Sequence, residues 1–255
     1  MSEVPYTVAL MPILLLIRHA TNDFVKTGRL PGQGPNLHLN EEGRKQAEAL
    51  AKMLEKRPIT AIYSSHLERA IETAWRVAGP RGLALQIRPG LADTDAGDYT
   101  GRLIKELSEG EDTRETWKAI VETPLVGRFP NGESPLDMQH RVVAELERIV
   151  AAFPDPEPPP DNAPKDESPA HRPLRQAQEP AQGPALPDPP KADPVPPPVV
   201  AVVAHNSVVQ AALAHFLGMP FENYERLGAS PASVSTVFVS AKRTMVMAVN
   251  QTAPA

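Results

Sequence analysis

Two rhythms of hydrophobic and polar positions alternate along this chain. Residues 13–17 (ILLLI) form an unbroken apolar run, the pattern of a strand buried on both faces, and Val199–Ala204 repeats it. Residues 59–63 read as a shorter strand, and 233–239 with 245–249 as a closing pair. Helical spacing fills the intervals. Ala47, Leu50, Ala51 and Leu54 lie on one face of a helix predicted to start near Asn40. Ala70, Thr73, Ala74 and Val77 mark a second, for which Ser65 and Glu68 offer a capping box. Ser134-Pro135-Leu136-Asp137 is a third start signal, with a cap, proline at the first helical position and an acid at the third. Its helix carries Met138, Val142, Leu146, Ile149 and Phe153 inward. A last helix, capped by Asn206 or Ser207, stops at Gly218 with Pro220 just beyond. Strands alternating with helices predict an α/β fold, a three-layer α/β/α sandwich around a mostly parallel central sheet.

Composition changes the domain map. Of the 30 prolines, 17 fall in the 45 residues 154–198, where eight acids face four bases. That segment therefore holds −4 of the formal charge of −5. With only Leu174, Leu186 and Val195 as large apolar residues, it cannot offset its own ordering entropy. We expect a Pro-rich, acidic, disordered insertion, a solvated loop that also offers a docking arm for a protein partner of the SH3 kind. The remaining 210 residues, 1–153 and 199–255, then read as a single discontinuous domain, because doubling a loop costs only about 0.6 kcal/mol.

Charge and cysteine content narrow the function. The chain has no cysteine, hence neither disulfides nor thiolate metal sites. A mild acidic excess argues against nucleic acid as a partner. The longest apolar run, residues 8–17, is interrupted by Pro12 and falls short of the roughly 18 residues a membrane span needs. A soluble, cytoplasmic protein is expected, with either Met1 or Met11 as its start.

The polar residues at the strand ends carry the chemistry. Ligands of open α/β sheets bind beyond the carboxyl ends of the strands, beside helix N-termini. The first strand runs into Arg18-His19; the second ends at Ser64-Ser65 with Arg69 following; Val199–Ala204 runs into His205. Two histidines and two arginines on one sheet edge make an anion site, since the guanidinium fork suits phosphate. A metal site is the competing use of histidine. No H-x-x-x-H pair, cysteine or acid cluster stands nearby, so neither a metal nor another cofactor is expected. His38, His66, His140, His171 and His215 lack this setting and read as surface or packing residues, and Trp75 and Trp117 read as core or rim aromatics. Ser64 reads as part of the strand-end turn. Glu133 is open between orienting an arginine near the pocket and charging a helix start.

These residues resemble the histidine phosphatase superfamily, which includes the cofactor-dependent phosphoglycerate mutases. Leu16-Ile17-Arg18-His19-Ala20 is similar to its R-H-G signature, and residues 32–47 (GQGPNLHLNEEGRKQA) to its G…L-t-e-x-G-x-x-Q-A stretch. Residues 63–74 (YSSHLERAIETA) match Y-S-S-x-L-x-R-A-x-x-T-A. Residues 95–101 (DAGDYTG) resemble D-x-G-x-w-x-G, 130–134 (PNGES) resemble P-x-G-E-S, and Val203-Ala204-His205 resembles the V-s-H before the last helix. Motifs in this order over most of the chain are far more specific than the R-H-G tripeptide alone.

The resemblance implies a phosphoglycerate mutase-like fold and a division of labour. His19 would be the nucleophile that becomes a phosphohistidine, with Arg18 and Arg69 clamping the phosphoryl oxygens and His205 donating a further hydrogen bond. Asn22 and the backbone of Asn206 would add phosphate contacts. Asp93 stands where the family usually has a glutamate acid/base, two residues before D-x-G, with its carboxyl withdrawn by roughly 1.5 Å. Asp95 is the runner-up, although its place suggests the turn to Gly97. Val25 replaces an asparagine common in the family, and Asn206 replaces a glycine.

The stretch between Gly101 and Glu133 normally caps the pocket, and here five bases face six acids. That balance disfavours a bisphosphate. The expected function is a metal-independent phosphomonoester hydrolase acting on a small phosphorylated metabolite. The alternatives are a phosphomutase with the same nucleophile and a phospho-ligand-binding protein whose Pro-rich arm recruits a partner.

Overall fold

The computed structural model describes residues 12–153, 196–240 and 243–254. Most of the Pro-rich segment predicted at 154–198 lies outside them.

Six strands form one sheet: β1 (Ile13–Arg18), β2 (Ile59–Ser64), β3 (Leu85–Ile87), β4 (Val199–Ala204), β5 (Val234–Phe238) and β6 (Met245–Gln251), in the order β3-β2-β4-β1-β5-β6. β4 pairs in parallel with β1 on one side and β2 on the other, and β2 with β3. β5 runs antiparallel to both β1 and β6. The sheet is therefore mixed, parallel through its centre and closed by the hairpin expected from the last two apolar runs.

Side chains alternate across the two central strands as a period of two requires. Leu14, Leu16, Val200 and Val202 face a core with Met138, Val142, Leu146 and Ile149 of α6 (Pro135–Ala151) and Val208, Val209 and Leu213 of α7 (Asn206–Leu217). Leu15, Ile17, Ala201 and Val203 face the opposite core. There they meet Ala47 and Leu50 of α2 (Glu41–Met53) and Ala70, Ala74 and Val77 of α3 (Glu68–Ala78). A fully buried aliphatic side chain contributes about 1.5–3 kcal/mol, so the four from β1 offer on the order of 6–12 kcal/mol. That is comparable with the net stability of a whole domain. A central pair so heavily buried lets the edges be modest: β3 has three residues, and Met245, Met247 and Val249 of β6 are exposed.

Local chemistry set several boundaries as expected. Asn40 caps α2, Ser134 and Asp137 form a complete capping box on α6, and Gly218 ends α7 at φ 61°. Two caps differ. α3 begins at Glu68 behind Leu67, without a capping box; Ser65 is still strand-end backbone, and its hydroxyl takes up the Leu67 N–H instead (3.2 Å). The cap of α7 is His205 itself, in extended conformation, so Asn206 is the first helical residue. Phe153 lies two residues past α6 but still packs on its core. A third, small core of Ala96, Tyr99, Leu107, Ile120 and Phe129 supports the shorter helices α4 (Ile104–Glu109) and α5 (Arg114–Glu122) beside the sheet's carboxyl edge. Among the described residues, no helix is long and apolar enough to cross a membrane.

Candidate active site

The parallel register of β1 and β4 pairs Arg18 with Ala204, so the next residue on each strand is a histidine. The His19 N–H donates to the Ala204 carbonyl (2.9 Å), and the two imidazoles lie 5.1 Å apart between centroids. Both are buried. On the other side of β4, the Ser65 N–H donates to Val203 (3.0 Å) and brings the end of β2 to the same edge.

Hydrogen bonds decide which ring nitrogens carry protons. His19 Nδ1 lies 2.7 Å from the Ala20 carbonyl, which can only accept. Nδ1 therefore holds the proton and Nε2 the free lone pair. The Thr21 N–H, in the same peptide as that carbonyl, donates to Gln46 Oε1 (2.9 Å), and the preceding Ala20 N–H donates to Thr73 Oγ1 (3.0 Å). Burial pushes the His19 pKa well below its ordinary range, assisted by His205, Arg69 and Arg18. His205 is likewise pushed well down, by burial first and then by Arg69, Arg141, Arg18 and His66. Its Nε2 lies 2.9 Å from Ser65 Oγ. The Ser65 hydroxyl hydrogen has no other acceptor among its partners, so its O–H is assigned to His205 Nε2, which leaves the imidazole proton on Nδ1, facing Asp93 Oδ2 at 3.6 Å.

A stability consequence follows from this neutral pair. An unfolded chain protonates its histidines near the ordinary value of 6.5, whereas the folded state resists. The stability is fully present above pH 6.5 and is lost as pH falls through the window beneath it. The loss reaches about 1.4 kcal/mol per pH unit for each histidine. Urea denaturation at pH 7.5, 6.5 and 5.5 is expected to trace this decline, and His205→Asn to remove a substantial part of it. A stability independent of pH over that interval contradicts the buried neutral pair.

Around the histidines stands a set of N–H donors. Arg69 is fully buried; its Nη2 donates to the Gly32 carbonyl (2.8 Å) and to Asp93 Oδ2 (3.0 Å). Arg18 Nη1 donates to Asn206 Oδ1 (3.2 Å) and the Ala229 carbonyl (2.6 Å). Asn22 caps α1 (Asp23–Thr27) with its carbonyl oxygen. Seven buried side-chain polar atoms among the described residues lack a protein partner, and five belong here: Arg18 Nε, Asn22 Nδ2, Arg69 Nε and Nη1, and His205 Nδ1. Buried donors without partners are costly, so their concentration at one strand edge is the mark of an anion site. A cavity of about 310 Å³ opens from Arg18, His19 and Asp93 outward between α5 and α7. No cluster of three metal-ligating side chains occurs among the described residues.

This geometry has relatives. The model of the histidine phosphatase superfamily (branch 1) matches residues 14–157 and 191–252. The chain belongs to that superfamily. Phosphoserine phosphatase 1 of Hydrogenobacter thermophilus is 34% identical over 137 residues, 53% of this chain and 63% of the relative, so the match spans under two thirds of that protein. Glucosyl-3-phosphoglycerate phosphatase of Mycobacterium tuberculosis is 29% identical over 216 residues, 84% of this chain and 79% of that one. A solved structure of mycobacterial glucosyl-3-phosphoglycerate phosphatase in complex with VO3 is 25% identical with a TM-score of 0.68, covering 94% of this chain and 100% of the other.

In this member of the superfamily, Arg18, His19, Arg69, Asp93, His205 and Asn206 are linked by contacts around one strand edge, with Asn22 three residues beyond His19. Asn206 uses its side chain to hold Arg18 and to reach Gln210 Oε1 (2.9 Å). Asp93 Oδ2 also lies 3.6 Å from His205 Nδ1, while Oδ1 accepts from the Thr94 N–H (3.0 Å) and Ser207 Oγ (3.1 Å). Asp95 serves the turn, accepting from the Gly97 N–H. Ser64 likewise stays local, donating to the Ser65 carbonyl. Glu133 is the arginine-orienting residue: it accepts from Arg141 Nη2 (2.6 Å) and from the Asp95 N–H (2.8 Å). Arg141 in turn donates to the carbonyls of Gly90, Ala92 and Asp93, clamping the segment that carries the Asp93 carboxylate. The two glycine motifs meet behind it, since a Cβ on Gly97 (φ 47°) would fall 2.0 Å from the Pro130 carbonyl. Trp117, read from sequence as a core or rim residue, lines the cavity; Trp75 is exposed. Ser65, Ser207 and Arg141 were not legible as site residues, because each acts only through a partner distant in sequence.

Proposed function

We propose that this chain is a metal-independent phosphomonoester hydrolase that works through a phosphohistidine on His19. The observation that carries this reading is the His19 tautomer. Nδ1 is tied to the Ala20 carbonyl, and Nε2 is left free among five buried donors that lack protein partners. In the first step Nε2 forms a bond to phosphorus while the bond from phosphorus to the alcohol oxygen breaks. The Ala20 carbonyl supports the positive charge that the ring acquires. Arg18, Arg69, Asn22 and His205 Nδ1 take the phosphoryl oxygens, whose charge is present throughout the transfer. Asp93, an acceptor in the free site, takes up the proton that a monoester monoanion brings and passes it to the departing oxygen. In the second step water attacks phosphorus, Asp93 receives the water's proton, and the N–P bond breaks to release inorganic phosphate. Two phosphatases among the relatives and a cavity sized for a small molecule support hydrolysis of a small phosphorylated metabolite.

Hydrolysis of 4-nitrophenyl phosphate with excess chelator tests the reading, followed by quenching and peptide mapping of the trapped phosphoryl group. Chelator-resistant turnover with an acid-labile, alkali-stable phosphoryl group on the His19 peptide is expected. Transfer to an added alcohol in place of water would make the chain a mutase. No turnover with retained phosphate binding would make it a binding protein.

A further inference from the structure

Beyond the phosphoryl end, the cavity has two unlike walls. One is apolar, built by Ile104, Trp117, Ile120 and Phe129. The other comes from α7 and the 3-10 turn Phe221–Arg226, and presents Gln210, Tyr224 and Glu225. Tyr224 Oη donates to Glu225 Oε1 (3.2 Å). The phenol is buried and also feels Asp93, so burial and two carboxylates push its pKa above the ordinary tyrosine range and keep it a donor. Glu225 is exposed at the cavity mouth, and the part of its side chain that packs against the wall is desolvated enough to push its pKa up.

A chain of hydrogen bonds joins this wall to the phosphoryl end. Arg18 holds Asn206, Asn206 holds Gln210, and Gln210 Nε2 donates to the Leu227 carbonyl (2.7 Å) just past the turn. A leaving group anchored by its phosphoryl end therefore meets Glu225 at a fixed place. Few positive charges answer it. No lysine stands among the described residues lining the cavity; Arg18 is engaged by Asn206 and Ala229, and the exposed Arg29 donates to the Gly101 carbonyl (2.8 Å).

Building on the hydrolase reading, we propose that Glu225, held by Tyr224, is a specificity-determining residue for the alcohol half of the substrate. The site takes phosphomonoesters of largely apolar alcohols that are neutral or carry an amine, and it discriminates against alcohols bearing a carboxylate. The apolar wall accepts the hydrocarbon part. The carboxylate at the mouth attracts a cation and repels an anion, and this repulsion supplies the selectivity.

Steady-state kinetics at pH 8 test this with three esters: 4-nitrophenyl phosphate, 2-aminoethyl phosphate and 3-phosphoglycerate. The readout is kcat/KM for each charged ester relative to the nitrophenyl ester, so damage to the fold or to phosphoryl transfer cancels. Glu225→Gln is expected to raise the 3-phosphoglycerate ratio and to lower the aminoethyl ratio, each roughly tenfold. Tyr224→Phe releases the carboxylate from the phenol that holds it while keeping the ring, and it is expected to move both ratios the same way by a smaller factor. Aryl ester turnover with ratios unmoved by either variant overturns this proposal alone. If the wild-type chain hydrolyses none of the three esters, the hydrolase reading falls and takes this one with it.

Discussion

Replacing His19 with alanine is expected to lower kcat/KM for 4-nitrophenyl phosphate by at least about a thousandfold. The size follows from the chemistry. No other imidazole at the site has a free lone pair, because His205 Nε2 is engaged by Ser65 and its Nδ1 carries the proton. The variant keeps Arg18, Asn22, Arg69 and His205, and therefore its phosphoryl oxygen donors. Calorimetry with inorganic phosphate is expected to find binding within about tenfold of the wild-type value, since only the attacking group has been removed. The stability cost is expected to be small near pH 7.5, because the lost hydrogen bond to Ala20 is worth about 1 kcal/mol net. Retained turnover in a folded His19→Ala protein would eliminate His19 as the nucleophile. Loss of both turnover and phosphate binding would instead assign it a structural role.

The second large effect is expected at Arg69, which is fully buried and paired with Asp93. Arg69→Met fills similar space but leaves Asp93 Oδ2 and the Gly32 carbonyl without their shared donor. Breaking a buried pair by removing one member costs about 3–5 kcal/mol. Asp93 is 13% exposed, so the lower end of that range applies. A fall of at least about a hundredfold in kcat/KM is expected beside it, because a donor to the transferring group is lost and Asp93 loses its anchor. Adding Asp93→Asn to Arg69→Met is expected to recover at least about 1 kcal/mol, the coupling of two groups in contact, without recovering activity. Urea denaturation of the two single variants and the double variant measures that coupling. Additive stabilities would show that Arg69 and Asp93 do not support each other in the folded protein.

Much of this architecture was legible because its causes are local. β1 and β4 announced themselves as unbroken apolar runs, since strands covered on both faces need no polar alternation. Asn40, Ser134 with Asp137, and Gly218 act within four residues of themselves, so their helix ends could be read directly. β3 left no such mark: it is three residues long with two exposed, too short for any period. The Ser65–Glu68 pattern misled for a related reason. The spacing of a capping box was present, but Ser65 directly follows β2, and its hydroxyl is claimed by Leu67 and His205.

The amino-acid sequence by itself determined the α/β alternation, the two buried central strands, the delivery of Arg18-His19 and His205 to strand ends, and the place of Arg69 in the first turn of the helix after β2. Each follows from burial, capping and spacing over a few residues. Only the tertiary structure decided that β4 inserts between β1 and β2, which sets His205 against His19. It also decided that Arg18 rests on Asn206, 188 residues away, that Ser207 reaches back 114 residues to Asp93, and that Glu225 lines the cavity. Those relations have no local trace, because a hydrogen bond between distant segments is selected by the packing that brings them together rather than by either segment's own conformational preference.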